Sequence, residues 1–424
     1  MKTYRYRLYP SAEQEVRLNQ QLELCRELYN SFLEQRILAY KMGKSINYYY
    51  QQNQIPELRN IFREYRQIHS QVLQDVARRV DRAYENFFRR VREKKAGKQQ
   101  KAGFPRFKPR QRYRSITYPQ SGFHIKENGH LKLSKIGEVR MFQHRSICGE
   151  IGTITITKEA TGKWHASFSV MPEKAPTFPE KTGKGIGTDM GLMNLVSMSD
   201  GTMIPHPKFL KNGEKRIRRE QRRLSRKAMG SENRRKHKVR VARAHEKVKN
   251  QRDDFAHKLS HEMVKNNDFI VFEDLNVTGM MVNHHLAKSI ADASWNTLVQ
   301  YTTYKAESAG KEVVLVDPRN TSKACSGCGW VKEDLKLSDR IFHCDACGLE
   351  IDRDLNAAMN IYRLGMIKVG RGTPEFTPVE IRALPARATQ IEEAGSPVIG
   401  RGGCHRFHCG QFSEFLDTCY CIFL

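Results

Sequence analysis

One stretch, TSKACSGCGWVKEDLKLSDRIFHCDACGLEIDRDLNAAMNI from Thr321 to Ile361, constrains the fold of this chain more than any other. Cys325 and Cys328 are followed, across a fifteen-residue spacer, by Cys344 and Cys347. Four thiolates in two C-x2-C pairs at this separation suit one tetrahedral zinc ion, which would staple a small knuckle. Directly beyond it, Asp352-Arg353-Asp354 leads into LNAAMNIYRLG, where Leu355, Ala358, Met359 and Tyr362 recur at helical spacing. A carboxylate therefore stands at a helix start beside the knuckle. Capping alone explains an acid there, so Asp352 and Asp354 acquire meaning only with partners elsewhere.

The charge balance says what kind of partner to expect. Lys and Arg number 73 against 46 Asp and Glu, a net charge of +27 spread over much of the 424 residues. A polyanion, meaning nucleic acid, is the simplest complement, because neutralised phosphates release counterions. A 39% hydrophobic content leaves room for two or three domains. No run approaches the roughly twenty apolar residues of a membrane span, and the N-terminus reads as a strand instead of a signal peptide. The expectation is a cytoplasmic, prokaryotic, nucleoid-associated protein without a membrane partner, its cysteines reduced.

Residues 1–9 alternate as a strand that Pro10 ends, and Ser11 with Gln14 forms a capping box opening a long helix with Val16, Leu22, Leu28 and Phe32 on its buried face. A later helix places Leu73, Val76, Val80, Ala83, Phe87 and Val91 on one side and Arg78, Arg79, Arg82, Arg89 and Arg90 on the other. It runs into a segment where aromatic residues interleave with Lys and Arg, a mixture suited to bases and phosphates. Short alternating runs between Ile116 and Met171, with a turn at 160–163, predict a small β-barrel into which residues 11–110 are inserted.

A new domain is expected from about Lys184. Asp189 interrupts an apolar strand, which is costly unless it is paired or on a metal. A basic helical hairpin follows, carrying Arg216, Arg218, Arg219, Arg222, Arg223, Arg226, Arg234 and Arg235 with few acids nearby. FIVFEDL then ends a buried strand on Glu273 and Asp274, and a helix from Trp295 and a strand at 312–316 complete a mixed α/β sheet. Asp189, Glu273 and Asp354, gathered from three elements, suit two Mg2+ (or Mn2+) ions about 4 Å apart for phosphodiester cleavage.

GTDMGLMNLVSMSDG, FIVFEDLNVTGM, TSKACSGCG, CDACG and DRDLNAAMNI, in this order, resemble the motifs of the TnpB family, insertion-sequence-encoded RNA-guided nucleases ancestral to type V CRISPR effectors. The resemblance covers Met1 to about Leu364. It implies a multidomain α/β chain with a wedge β-barrel (1–10 and 111–180), a helical recognition domain (11–110), a RuvC-like, RNase H-fold nuclease domain (184–320 and 348–365) and a zinc knuckle contacting target nucleic acid (321–347). It also implies a guide, the omega RNA, and a double-stranded DNA target next to a short motif read by the protein. Asp189, Glu273 and Asp354 match the family's catalytic acids, Asp354 being preferred over Asp352 because it precedes x-N-A-A; Met359 stands where the family often has a basic residue.

The resemblance further places adjacent-motif reading on Ser70, Gln71, Gln74, Tyr118 and Gln120, while Arg78, Arg82, Arg218, Arg222 and Arg226 are candidate nucleic-acid contacts. A guide-bound DNA-binding regulator that does not cut is the alternative. Residues 366–424 are expected to be a disordered tail, with Cys404, His405, His408 and Cys409 a weak metal candidate and the terminal CIFL a chance match to a prenylation box.

Overall fold

The computed structural model describes residues 1–97, 101–172, 178, 181–336 and 338–372; most of the expected tail, with Cys404, His405, His408, Cys409 and the terminal CIFL, lies outside the described residues. Two sheets organise the rest, one antiparallel and one mixed. Among the described residues no helix is long and apolar enough to cross a membrane.

The first sheet recruits the N-terminus. β1 (Lys2–Tyr9) pairs antiparallel with both β5 (Gly137–Phe142) and β7 (Trp164–Met171), and its alternation turns Tyr6 and Leu8 into the core. With β2 (Ser115–Tyr118), β3 (Phe123–Ile125), β4 (Leu131–Leu133) and β6 (Glu150–Lys158), the strand order is β2-β6-β7-β1-β5-β4-β3. The two edges, β2 and β3, are consecutive in sequence and joined only by residues 119–122. Laid flat, the edges of seven strands would be about 29 Å apart, whereas the link spans at most about 18 Å. The sheet must therefore curl into a nearly closed barrel.

Between β1 and β2 come α1 (Ala12–Lys41), α2 (Tyr48–Asn53), α3 (Ile55–Ile61), a 3-10 turn (Arg63–Gln67) and α4 (Ser70–Lys95). The Ser11–Gln14 capping box forms, and the Gln14 side chain also donates to the Glu138 carbonyl at 2.7 Å, fastening α1 to β5. Val16 is a correction to the expected buried face, being 65% exposed. The buried stripe runs Leu18, Leu22, Cys25, Tyr29 and Phe32, and Val16, two residues before it, points well away at about 100° per residue. On α4 the buried positions end at Val80. Beyond it Tyr84, Phe87 and Phe88 gather with Phe104 instead, at ring separations of 5.2–6.2 Å.

The second sheet is ordered β10-β9-β8-β11-β12 and comprises β8 (Gly185–Asp189), β9 (Asn194–Met198), β10 (Met203–Pro205), β11 (Phe269–Glu273) and β12 (Glu312–Val316). β8, β9 and β10 form an antiparallel meander, while β8, β11 and β12 run parallel. α5 (Phe209–Ser225) and α6 (Glu232–Asn266) separate β10 from β11; α7 (Val277–Met280), α8 (His284–Ala293) and α9 (Trp295–Ser308) separate β11 from β12. A small hairpin, β13 (Ile341–His343) with β14 (Glu350–Asp352), precedes α10 (Arg353–Lys368).

Every residue of β11 is buried because both faces are covered. Ile270 and Phe272 join Ile186 against Leu259 and Met263 of α6 and Trp295 and Leu298 of α9. Phe269 and Val271 face the other way, with Val314, Val316 and Ile361, towards α10. Close approach of α10 depends on alternate glycines. A Cβ on Gly187 would lie 2.2 Å from the Ala358 carbonyl oxygen and one on Gly185 2.6 Å from the Tyr362 hydroxyl. Gly187→Ala is accordingly expected to destabilise the protein by about 3 kcal/mol or more, since backbone and not a flexible side chain meets the new methyl. Thermal unfolding monitored by circular dichroism checks this, with a fall in Tm of roughly 5–10 °C expected.

Candidate active site

The same packing brings three acids to one sheet edge. β8 and β11 are parallel and in register, Thr188 opposite Phe272, so the next residues along, Asp189 and Glu273, stand side by side at the ends of neighbouring strands. Alternation puts both on the face that holds Gly187 and Val271, which is the α10 face. On α10, Ala358 and Tyr362 are set against Gly187 and Gly185 of β8, and Gly365 against the Val271 side chain of β11. Asp354 belongs to the same stripe one turn earlier, at the start of the helix.

The charges register this proximity. Burial, then the negative charges of Glu273 and Asp354, push the Asp189 carboxyl well above the usual carboxylate range, against the opposing pull of Arg353. Glu273, only 7% exposed, is also raised by burial, offset in part by the Thr321 hydroxyl that donates to its Oε1 at 2.6 Å. Arg353 reaches Asp354 at 3.3 Å. Asp352 is engaged differently, since its Oδ1 accepts from the backbone N–H groups of Asp354 and Leu355, at 2.9 and 3.1 Å, and so caps α10. Glu273 and Asp354 thus both disfavour ionisation of Asp189, and three carboxylates at one sheet edge are the hard oxygen donors that divalent cations take.

The four cysteines form a separate cluster, with one sulfur from each lying within 4.8 Å of every other. Cys325 and Cys347 approach to 3.6 Å and Cys328 and Cys344 to 3.5 Å, close to the roughly 3.8 Å edge of a tetrahedron with 2.3 Å metal–sulfur bonds. Each pair lies in the same kind of turn. Gly329 donates to the Cys325 carbonyl and Gly348 to that of Cys344, both at 2.9 Å, and both glycines have positive φ, +81° and +74°. Burial raises both Cys344 and Cys325, and backbone N–H groups oppose it in each turn, those of Cys347 and Ala346 at Cys344 and those of Cys328 and Gly327 at Cys325; with the neighbouring thiols the balance leaves Cys344 lowered and Cys325 raised. Turns that aim N–H groups at sulfur in this way suit metal-bound thiolates.

α10 carries the root of this cluster. Asn356 donates to the Ala324 carbonyl at 2.7 Å and accepts from the Ser326 N–H at 2.8 Å, while Asn360 donates to the carbonyls of Thr321 and Ala324 at 2.9 and 2.6 Å. Both asparagines are almost fully buried. Sequence reasoning passed over Gly185, Gly187, Thr321, Asn356 and Asn360; the available signals were the alternate glycines of a strand and two asparagines four residues apart among the apolar residues of LNAAMNI.

The remaining candidates are dispersed. Ser70, Gln71 and Gln74 begin α4, and Gln71 accepts from the Ser121 backbone at 2.9 Å. Tyr118 is a correction: strand alternation turns it inward with Ile116, and at 0% exposure it cannot meet a nucleic acid from the barrel core, whereas Gln120 in the following turn is exposed. Arg78 and Arg82 are exposed on α4, Arg78 lying over the Tyr48 ring. Arg218, Arg222 and Arg226, one helical turn apart, line a wholly cationic groove on α5 with Lys215, Arg219 and Arg223.

Fold and site together define a class of α/β protein in which a mixed sheet offers acids at the ends of parallel strands and the helix above that edge also anchors a four-thiol cluster. Residues 167–284 match a family model described as "Probable transposase", residues 295–361 one described as "Cas12f1-like, TNB domain" and residues 1–45 a "Helix-turn-helix domain", the last folding here as β1 followed by the single helix α1. The chain is 34% identical over 373 residues to a "Putative RNA-guided DNA endonuclease" of Streptomyces pristinaespiralis, covering 86% of this chain and 89% of that one. It is 30% identical over 384 residues to "Putative RNA-guided DNA endonuclease InsQ" of Escherichia coli (strain K12), covering 86% and 92%. A solved structure described as "Cryo-EM structure of the Cas12f1-sgRNA-target DNA complex" shares the fold, with a TM-score of 0.51, 14% identity and 82% of each chain covered. The chain belongs to the TnpB family of RNA-guided endonucleases of insertion sequences.

Proposed function

We propose that this chain is an RNA-guided DNA endonuclease of a transposable element, with a transposon-encoded omega RNA as guide and double-stranded DNA as target. The observation that carries the reading is the placement of Asp189 and Glu273 side by side at the ends of β8 and β11, with Asp354 on the helix covering that edge. On this reading residues 184–320 and 348–365 form a RuvC-like nuclease domain of RNase H fold, residues 1–10 and 111–180 the wedge, residues 11–110 the recognition helices and residues 321–347 a zinc knuckle. Asp189, Glu273 and Asp354 would hold two Mg2+ or Mn2+ ions, which when bound supply an activated water and stabilise the leaving oxygen. The four cysteines would hold one structural zinc.

The protein's own residues do the rest. The strand ends fix two carboxylates against each other, and the buried stripe of α10 fixes the third. Asp352 is occupied as a cap, which favours Asp354 as that third acid. Exposed Arg78, Arg82, Arg218, Arg222 and Arg226 would track phosphates, leaving sequence to be read by guide pairing. Of the adjacent-motif candidates, Ser70, Gln71, Gln74 and Gln120 remain on accessible elements. A regulator that binds without cutting has no use for three mutually repelling acids, so cutting is favoured. Sequencing the RNA that co-purifies with the protein defines a target; with Mg2+ the complex should linearise a plasmid carrying that target. An intact plasmid at every flanking sequence of a randomised library would overturn the nuclease reading.

A further inference from the structure

We infer that Thr321 is a positioning residue that ties Glu273 to the helix bearing Asp354 and so sets the spacing of two of the three acids; this rests on reading those acids as the metal-holding groups. Thr321 lies at the junction between the segment following β12 and the thiol knuckle, 4% exposed. Its hydroxyl is 2.6 Å from Glu273 Oε1 and 3.0 Å from the Pro318 carbonyl oxygen. A hydroxyl has one proton to give. The shorter contact, to a carboxylate, is the stronger acceptor, so the proton goes to Glu273 and fixes the rotation of its carboxylate.

The backbone of the same residue faces the other way. Its carbonyl accepts from Asn360 Nδ2 at 2.9 Å, and Asn360 sits on α10 between Ala358 and Tyr362, the residues that press against Gly187 and Gly185. Asn360 also holds the Ala324 carbonyl at 2.6 Å, and Asn356 holds it at 2.7 Å. One buried residue therefore touches the acid at the end of β11 with its side chain and the acid-bearing helix with its main chain. A threonine kept only to shape the loop would need the Pro318 contact alone. Groups that orient a metal-holding carboxylate typically affect affinity for the ion by about 10- to 100-fold.

The test is Mn2+ titration of the full-length protein with its co-purified RNA, followed by electron paramagnetic resonance, with zinc content and thermal melting measured on the same samples. Thr321→Val, which keeps the shape and removes the hydroxyl, should weaken Mn2+ binding about tenfold or more with zinc content unchanged. Thr321→Ser should bind within about twofold of wild type, because it restores the donor. Wild-type Mn2+ affinity in Thr321→Val, or equal loss in Thr321→Val and Thr321→Ser, would overturn the inference. If the valine variant loses zinc or unfolds, Thr321→Ala, which puts no methyl against the carboxylate, decides by the same criterion. Asp189→Ala run in parallel separates the two levels. Undiminished Mn2+ binding there removes the reading of the acids, whereas impaired binding there beside normal binding in Thr321→Val removes only the role of Thr321.

Discussion

Asp189→Asn is expected to reduce DNA cutting by about a thousandfold or more and, at the same time, to raise the melting temperature of the protein in EDTA. If the three acids hold the metal as proposed, losing one of their oxygens should remove several kcal/mol of transition-state stabilisation, and about 4 kcal/mol is a factor of a thousand in rate. The stability gain follows from the electrostatics. Burial and the charges of Glu273 and Asp354 raise the Asp189 carboxyl well above its ordinary value. A raised acid contributes stability that is fully present below its unfolded value, about 4, and is lost as pH rises through the higher folded value. The asparagine variant should therefore exceed wild type most at neutral and alkaline pH, and the difference should vanish below about pH 4. Mg2+ or Mn2+, by neutralising the acids, should raise the wild-type Tm and leave that of Asp189→Asn nearly unmoved. Guide-dependent DNA binding by mobility shift should survive, since it rests on phosphate contacts elsewhere. Full cutting by Asp189→Asn, or a Tm below wild type in EDTA at neutral pH, would contradict this account.

How much of this was legible in the chain differs by element, for physical reasons. The strand ending in Asp189 and the one ending in Glu273 were readable because an acid closing an apolar run is costly without a purpose. The cysteine spacing was readable because metal chemistry fixes it. The buried stripe of α1 was only half readable: Leu22, Leu28 and Phe32 are buried, but Val16 is exposed, because its apolar character suggested burial while its position, about 200° around the helix from Leu18, turns it to the other side. Tyr118 illustrates the opposite error. Resemblance placed it at a DNA-reading surface, while plain strand alternation in SITY puts it beside Ile116 in the core. Thr321, Asn356 and Asn360 were not legible at all as a group, because their roles depend on hydrogen bonds between segments that only the fold brings together. Between Asp352 and Asp354 the chain offered only the resemblance, which preferred Asp354; in the fold Asp352 caps α10, while Asp354 lies one turn before Ala358 on the sheet-facing stripe.

Cys344→Ser should have the second large effect, and it should travel beyond the knuckle. Structural zinc binding amounts to about 10–16 kcal/mol in small peptides near neutral pH, far more than the few short hydrogen bonds between residues 321 and 350 could replace. The variant should lose its zinc, measured by mass spectrometry, and become sensitive to limited proteolysis between Thr321 and Ile351. Among the described residues the barrel's hydrophobic cluster includes none from this segment, so the barrel should melt as in wild type. Cutting should fall as well, because Thr321, Asn356 and Asn360 bond the knuckle root to α10 and to Glu273. Cys148→Ser, at an exposed cysteine outside the cluster, should change none of these readouts. If Cys344→Ser kept zinc and resisted protease, the cluster would not be a metal site. If it lost zinc yet cut normally, the four thiols would stabilise only the knuckle, and the bonds from its root to α10 would hold the acids without help from the metal.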